Sequence, residues 1–218
     1  MGKPKALVSF CGAPLICRSL RRLGAIADQL VVTSNQRESL DFLCTDATGD
    51  RLEIYADLLD VRGALNGMYT ALHYAKHPSV AIVACDMVFP SAALLKAEQQ
   101  LLLDTGADVV IPTTSHGYEP FHAVYRRETC LPLVQEALDA GKTKATCWFD
   151  KARVTELSHE EVLAIDPRGG SFTNVNTPDD LEHIEQRVLS GEMTKIYEDG
   201  NTDANASQKI HACGYQAP

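Results

Sequence analysis

The sequence predicts an α/β fold with a mostly parallel sheet covered by helices on both faces. Two observations carry that expectation. Short runs rich in β-branched residues alternate along the 218 residues with segments whose apolar positions recur at helical spacing. In addition, Asn35, Asp57 and Asp86 each fall at or just past the carboxyl end of one of these runs, where open α/β sheets collect their ligands.

The elements follow in order. Pro14 stands before Leu15, Ile16, Leu20, Leu23 and Ile26, which predicts a helix over 14–28. Leu30-Val31-Val32-Thr33-Ser34 reads as a strand and residues 37–44 as a short helix. Leu52-Glu53-Ile54-Tyr55 alternates and reads as a second strand, with Asp57 just beyond it. Gly63 and Gly67 flank the start of a helix whose apolar stripe is Leu65, Met68, Ala71, Leu72 and Ala75. Ser79 to Cys85 is an apolar run that predicts a strand buried on both faces, and Asp86 ends it. A helix over 91–103 follows, then strands at Asp108–Pro112 and Phe121–Tyr125, a helix over 127–139 and a strand at Val154–Leu157. Thr177 caps a last helix that Pro178-Asp179-Asp180-Leu181 opens. From about Gly191 the chain turns polar and poor in large apolar residues. The expected organisation is one domain over 1–190 and a disordered tail over 191–218, with no internal repeat or linker.

Composition narrows the function classes. At 45% apolar and 22% charged, the chain has the balance of an ordinary globular protein with a sizeable core. No apolar run is long enough to span a bilayer, and Met1-Gly2-Lys3-Pro4-Lys5 lacks the apolar stretch of a signal peptide. The seven cysteines include no C-x-x-C pair, which predicts reduced thiols and a cytoplasmic location. Cys85, inside an apolar run, is expected to be buried. A net charge of −9 argues against nucleic acid as a partner, although a locally positive pocket for a small anion is compatible with it.

Several residues carry candidate chemistry. Asp86 past a strand end suits Mg²⁺ that carries a phosphate substrate, or else serves as a turn or helix-cap residue. Gly63 and Gly67 let backbone approach a ligand closely, or simply mark a loop and a helix start. Asn174 and Asn176 precede a helix N-terminus, a favourable place for an anion; Asn176 also reads as a turn residue. His122 alternates with Phe121 and Ala123, and so faces either a ligand or solvent.

Five segments in this order resemble the molybdenum cofactor guanylyltransferases, within the nucleotidyltransferase superfamily. They are Met1–Leu7, Arg62-Gly63-Ala64-Leu65-Asn66-Gly67, Cys85-Asp86-Met87-Val88-Phe89, Glu119-Pro120-Phe121-His122-Ala123-Val124-Tyr125, and Asn174-Val175-Asn176-Thr177-Pro178-Asp179-Asp180-Leu181. The resemblance runs from residue 1 to about 187. It implies a three-layer α/β/α nucleotidyltransferase domain, Rossmann-like, that joins the GMP part of GTP to the molybdopterin cofactor and releases pyrophosphate. Lys5 and Asp86 would be catalytic, Lys5 on the triphosphate and Asp86 on Mg²⁺. Asn35, Asp57, Gly63 and Gly67 would bind the nucleotide. Glu119, His122, Asn174 and Asn176 would serve the acceptor. Molybdoenzyme apoproteins or cofactor-insertion proteins are the further partners it suggests.

The chain also departs from the family pattern. Family members begin with a strand and a Leu-Ala-Gly-Gly-x-Ser-x-Arg loop, and this sequence starts after both. The expected result is an open sheet, weak GTP binding and slow turnover, because a central ladder partner and the N–H groups that cradle phosphates are absent. Gly63-Ala64-Leu65-Asn66-Gly67 is close to the guanylyl pattern Gly-Pro-Leu-Ala-Gly but differs at Ala64 and Asn66. A cytidylyltransferase for the same cofactor and a non-catalytic nucleotide- or pterin-binding protein are therefore the alternatives.

Overall fold

The computed structural model describes residues 5–45, 52–167 and 170–193. Strands β1 (Ser9–Phe10) and β2 (Ala13–Pro14) form a small antiparallel hairpin before helix α1 (Leu15–Gly24). Then come β3 (Leu30–Thr33), a 3-10 helix at Arg37–Thr45, β4 (Leu52–Tyr55), α2 (Ala64–Tyr74), β5 (Ser79–Val83) and α3 (Ala92–Thr105). They are followed by β6 (Val109–Thr114), β7 (Gly117–Tyr118), β8 (His122–Arg126), α4 (Arg127–Asp139), β9 (Val154–Leu157), α5 (His159–Ile165) and α6 (Pro178–Leu189).

The main sheet runs β5-β8-β6, with β7 and β9 both paired to β6. Its side chains alternate as strand geometry requires. Val109, Ile111, Ala123 and Tyr125 pack with α2 and α4, while Val110 and Val124 pack with Leu94, Leu95 and Leu102 of α3 and Val162 of α5. Three layers result, as expected. The predicted strand directions need correcting: β8 runs antiparallel to both β5 and β6, and among the described residues only β6–β9 and β3–β4 are parallel. The cause is local. β8 follows β6 through the β7 hairpin, with no crossover helix to return the chain to the same end of the sheet.

β3 and β4 pair only with each other among the described residues. They rest on a core of Ile16, Leu20, Leu30, Leu40, Leu43 and Ile54. Between this pair and β5 lies a cavity of ≈ 400 Å³, lined by Leu30 and Val31 on one side and Val80, Ala81 and Val83 on the other. β5 is accordingly an edge strand. Only Ile82 of it is buried and Ala81 is exposed, contrary to the expected doubly buried strand. Cys85 lies beyond its end and is also exposed, not buried. At the other end of the chain, Met193 packs with Phe10, Val88, Val175, Ile184 and Val188, so part of the expected tail belongs to the core. The rest of that tail, from residue 194, lies outside the described residues. Among the described residues no helix is long and apolar enough to cross a membrane.

Candidate active site

Two clusters of polar residues stand at the carboxyl ends of the strands, one on each side of the cavity. The first follows from register. β3 and β4 are parallel with Thr33 opposite Tyr55, and Ser34 N–H extends the ladder to the Tyr55 carbonyl at 2.8 Å. Asn35 and Asp57 each lie two positions further on, so they meet. Asn35 Nδ2 donates to Asp57 Oδ2 at 2.9 Å, and Asp57 N–H donates to Asn35 Oδ1 at 2.9 Å. The pair is exposed, and the amide orients the carboxylate before any ligand arrives.

The second cluster unites residues from both ends of the chain. Lys5 Nζ donates to Asn176 Oδ1 at 2.7 Å and lies 3.4 Å from Asp86 Oδ2. Asp86 sits between β5 and α3, on a segment joined to residues 173–175. Val175 N–H donates to the Asp86 carbonyl at 3.0 Å, and Val88 N–H to the Thr173 carbonyl at 3.0 Å. An antiparallel bridge pairs Met87 with Asn174. Beyond it, Asn176 N–H and Thr177 N–H both donate to Asp180 Oδ2, at 3.0 and 2.8 Å, while Thr177 caps α6. These donors hold the Asp180 carboxyl below its ordinary range. The arrangement thereby fixes Asn176, and through it Lys5. The Lys5 and Asp86 side chains remain 40% and 25% exposed, so their ion pair is worth ~1 kcal/mol or less and is easily exchanged for ligand contacts.

The glycines separate into two kinds. Gly63 takes φ 142° at the start of α2, and a Cβ there would meet Thr143 Cβ at 2.9 Å. Its close approach is to this chain's own Thr143, whose carbonyl accepts from Leu65 N–H at 3.2 Å. Gly67, in the first turn of α2, leaves ordinary space toward Thr33 Oγ1 at 3.9 Å. In the sequence Asn66 stands out only as a departure from the family pattern, and Thr70 does not stand out. Asn66 Nδ2 donates to the Leu59 and Val61 carbonyls at 2.6 and 2.8 Å, and Leu58 N–H donates to Thr70 Oγ1 at 3.0 Å. Together they fasten the loop after Asp57 to α2. Asn66 departs from the family pattern, and a departure that supplies a loop anchor was the available signal.

The expected acceptor residues divide as well. Asn174 and Asn176 stand on the exposed strip beside Asp86. Glu119 lies on the link into β8 and accepts from Thr114 Oγ1 at 3.0 Å. His122 differs: its side chain is fully buried and both ring nitrogens face protein groups, so it touches neither solvent nor an acceptor in this arrangement. Among the described residues there is no cluster of three or more metal-ligating side chains. A cation held at Asp86 would therefore take its remaining ligands from water and substrate phosphates, as Mg²⁺ commonly does.

Comparison with known proteins agrees with this architecture. Residues 1–157 match the MobA-like NTP transferase domain family. A molybdenum cofactor guanylyltransferase of Desulfosudis oleivorans is 32% identical over 193 residues, covering 88% of this chain and 91% of that protein. A probable molybdenum cofactor guanylyltransferase of Natranaerobius thermophilus is 32% identical over 184 residues, covering 84% and 87%. The crystal structure of molybdopterin-guanine dinucleotide biosynthesis protein A from Archaeoglobus fulgidus superposes with a TM-score of 0.73 at 26% identity, covering 87% of this chain and 92% of that one. A 2-C-methyl-D-erythritol 4-phosphate cytidylyltransferase from Thermus thermophilus shares the fold, with a TM-score of 0.56 at 14% identity over 85% of this chain and 94% of that one.

Proposed function

This chain belongs to the MobA-like NTP transferase family, a family of nucleotidyltransferases, and from that premise we propose that it transfers GMP from GTP to the molybdopterin cofactor. A phosphate oxygen of the acceptor attacks the α-phosphorus of GTP. The bond from that phosphorus to the bridging α–β oxygen breaks, and pyrophosphate leaves. The observation that carries the reading is the convergence on Lys5 of Asp86 and Asn176, 81 and 171 positions away along the chain.

The acceptor phosphate is already an anion near neutral pH, so the site needs no strong general base. Catalysis becomes alignment and charge neutralisation. The Lys5 ammonium would turn from Asn176 and Asp86 toward the triphosphate. Asp86 would hold Mg²⁺, and that ion, when bound, would supply positive charge to the reacting phosphates. Asp57 can accept from guanine N1–H and N2–H₂ together, a donor pair that cytosine lacks, while Asn35 keeps the carboxylate in place. Asn174, Asn176 and Glu119 would serve the acceptor.

The test is pyrophosphate release with GTP, CTP and ATP in turn, in the presence of molybdopterin and Mg²⁺. A clear preference for GTP supports the proposal. Equal use of CTP sinks it in favour of a less selective enzyme. GTP binding without turnover makes the chain a binding protein.

A further inference from the structure

We propose that His122 and Glu98 form a buried positioning pair that anchors the segment carrying Asp86 through the backbone N–H of Ser91. The proposal rests on the reading of Asp86 as the Mg²⁺-holding carboxylate.

Residues 84–91 leave β5, carry Asp86 and enter α3. Their upstream end is fixed where Ala84 N–H donates to the Phe121 carbonyl at 2.9 Å, and their middle by the bonds to residues 173–175. At the downstream end, Ser91 N–H donates to His122 Nε2 at 3.1 Å. Ser91 is also the cap of α3, with Oγ accepting from Leu94 N–H at 3.3 Å. The imidazole thus holds the point where the loop becomes helix. Its ring also meets Phe172 edge-on at 5.5 Å, next to Thr173 on the opposing strip. One buried ring touches both sides of the Asp86 segment.

The hydrogen bonds determine the tautomer. A backbone N–H can only donate, so Nε2 must be the unprotonated nitrogen of the ring. The neutral ring then carries its proton on Nδ1, 3.4 Å from Glu98 Oε1. Glu98 is fully buried on the face of α3 that also buries Leu94, Leu95 and Leu102, and its Oε2 has no partner among the described residues. A leucine there would pack without the cost of desolvating a carboxyl. What the carboxyl adds is an acceptor that selects the Nδ1–H tautomer and turns Nε2 toward Ser91. A carboxylate orients a metal-bound histidine in the same way, and here the oriented ring holds a loop.

The experiment compares His122→Leu, His122→Gln and Asp86→Ala with the parent chain. The measurements are amide hydrogen exchange of residues 84–91, ¹⁵N shifts of the His122 ring and the Mg²⁺ dependence of GTP binding. The parent should show protonated Nδ1 and unprotonated Nε2. His122→Leu should speed exchange at Ser91 tenfold or more and raise the Mg²⁺ concentration for half-maximal GTP binding by about tenfold. His122→Gln, whose side-chain oxygen can reach the Ser91 N–H, should restore most of both. A protonated Nε2 in the parent, or parental exchange and Mg²⁺ dependence in His122→Leu, overturns the proposal. So does a His122→Leu defect confined to KM for the pterin, which would make His122 an acceptor contact. If Asp86→Ala keeps the parent's Mg²⁺ dependence, the reading of Asp86 fails. If Asp86→Ala loses it while His122→Leu does not, the positioning role alone fails.

Discussion

The two sides of the cavity are built to different standards. On the β5 side, the segment carrying Asp86 is tied by backbone bonds to Phe121, to residues 173–175 and, through Ser91, to a buried ring. It adjoins β8 and β6, which are covered on both faces. On the β3 side, Asn35 and Asp57 rise from a two-stranded ladder, hold chiefly each other, and connect to the rest through α1 and α2. The proposed phosphate and metal machinery is thus fixed in position, whereas the proposed base-reading pair stands on a narrow ledge. The difference fits the demands of the chemistry. Misplacing charge at a reacting phosphorus costs rate directly, whereas a base reader can be completed by the ligand it binds.

Substitutions on the two sides should therefore behave differently. The largest effect is expected at Asp86. Asp86→Ala should lower Mg²⁺-dependent turnover by about a thousandfold with a nearly unchanged melting temperature; a loss of less than tenfold removes Asp86 from the mechanism. Next is the cavity between β3 and β5. Leu30→Ala, which enlarges that cavity from its buried β3 wall, should lower the melting temperature by roughly 5–10 °C. An unchanged melt would show that this wall contributes nothing to stability.

A pH effect comes third. Burial pushes the Glu98 carboxyl up to about 7, from an ordinary 4.5. The folded chain keeps that proton over a range in which the unfolded chain has lost it. The associated stability is therefore fully present below about pH 4.5 and declines as the pH rises through 7, by up to ~3 kcal/mol. Glu98→Gln should flatten that decline in denaturant melts from pH 5 to 8. An unchanged slope would mean that the group does not titrate there.

Asp57→Ala should then raise KM for GTP about tenfold and change kcat less, since the base lies away from the reacting phosphorus. A pure kcat defect would move Asp57 to the phosphate side. The smallest effect separates the glycines. Gly67→Ala should stabilise α2 by about 0.5 kcal/mol yet weaken GTP binding, whereas Gly63→Ala should cost roughly 1–3 kcal/mol in folding. If Gly67→Ala binds GTP as the parent does, Gly67 is a packing residue only.

Some of this was legible in the residues and some was not. α4 at Arg127–Asp139, β9 at Val154–Leu157 and the Thr177-capped α6 lie where the sequence pattern puts them, because caps, helical period and strand alternation are local signals. The placing of Asn35 and Asp57 past strand ends was equally legible, but their meeting depends on the parallel β3–β4 register, which no local pattern gives. The direction of β8 did not follow, since an apolar run of that length reads alike in parallel and antiparallel sheets. Nor did the role of His122. Its partners are a backbone N–H 31 positions away and a carboxyl 24 positions away, and neither leaves a periodic mark. The burial of β5 was misjudged because an apolar strand at a cavity's edge has the composition of a core strand.

The contact between Lys5 and Asn176 spans 171 positions. As the ribosome makes this protein, every described strand of the sheet is synthesised before Asn176 is added, so most of the sheet precedes this contact. Residues near the N-terminus must wait for nearly the last helix to find their partner, and long-range closure of that kind is slow relative to local folding. Translation that halts short of residue 176 yields a chain without the Lys5–Asn176 contact and without the α6 residues that cover Phe10 and Val88.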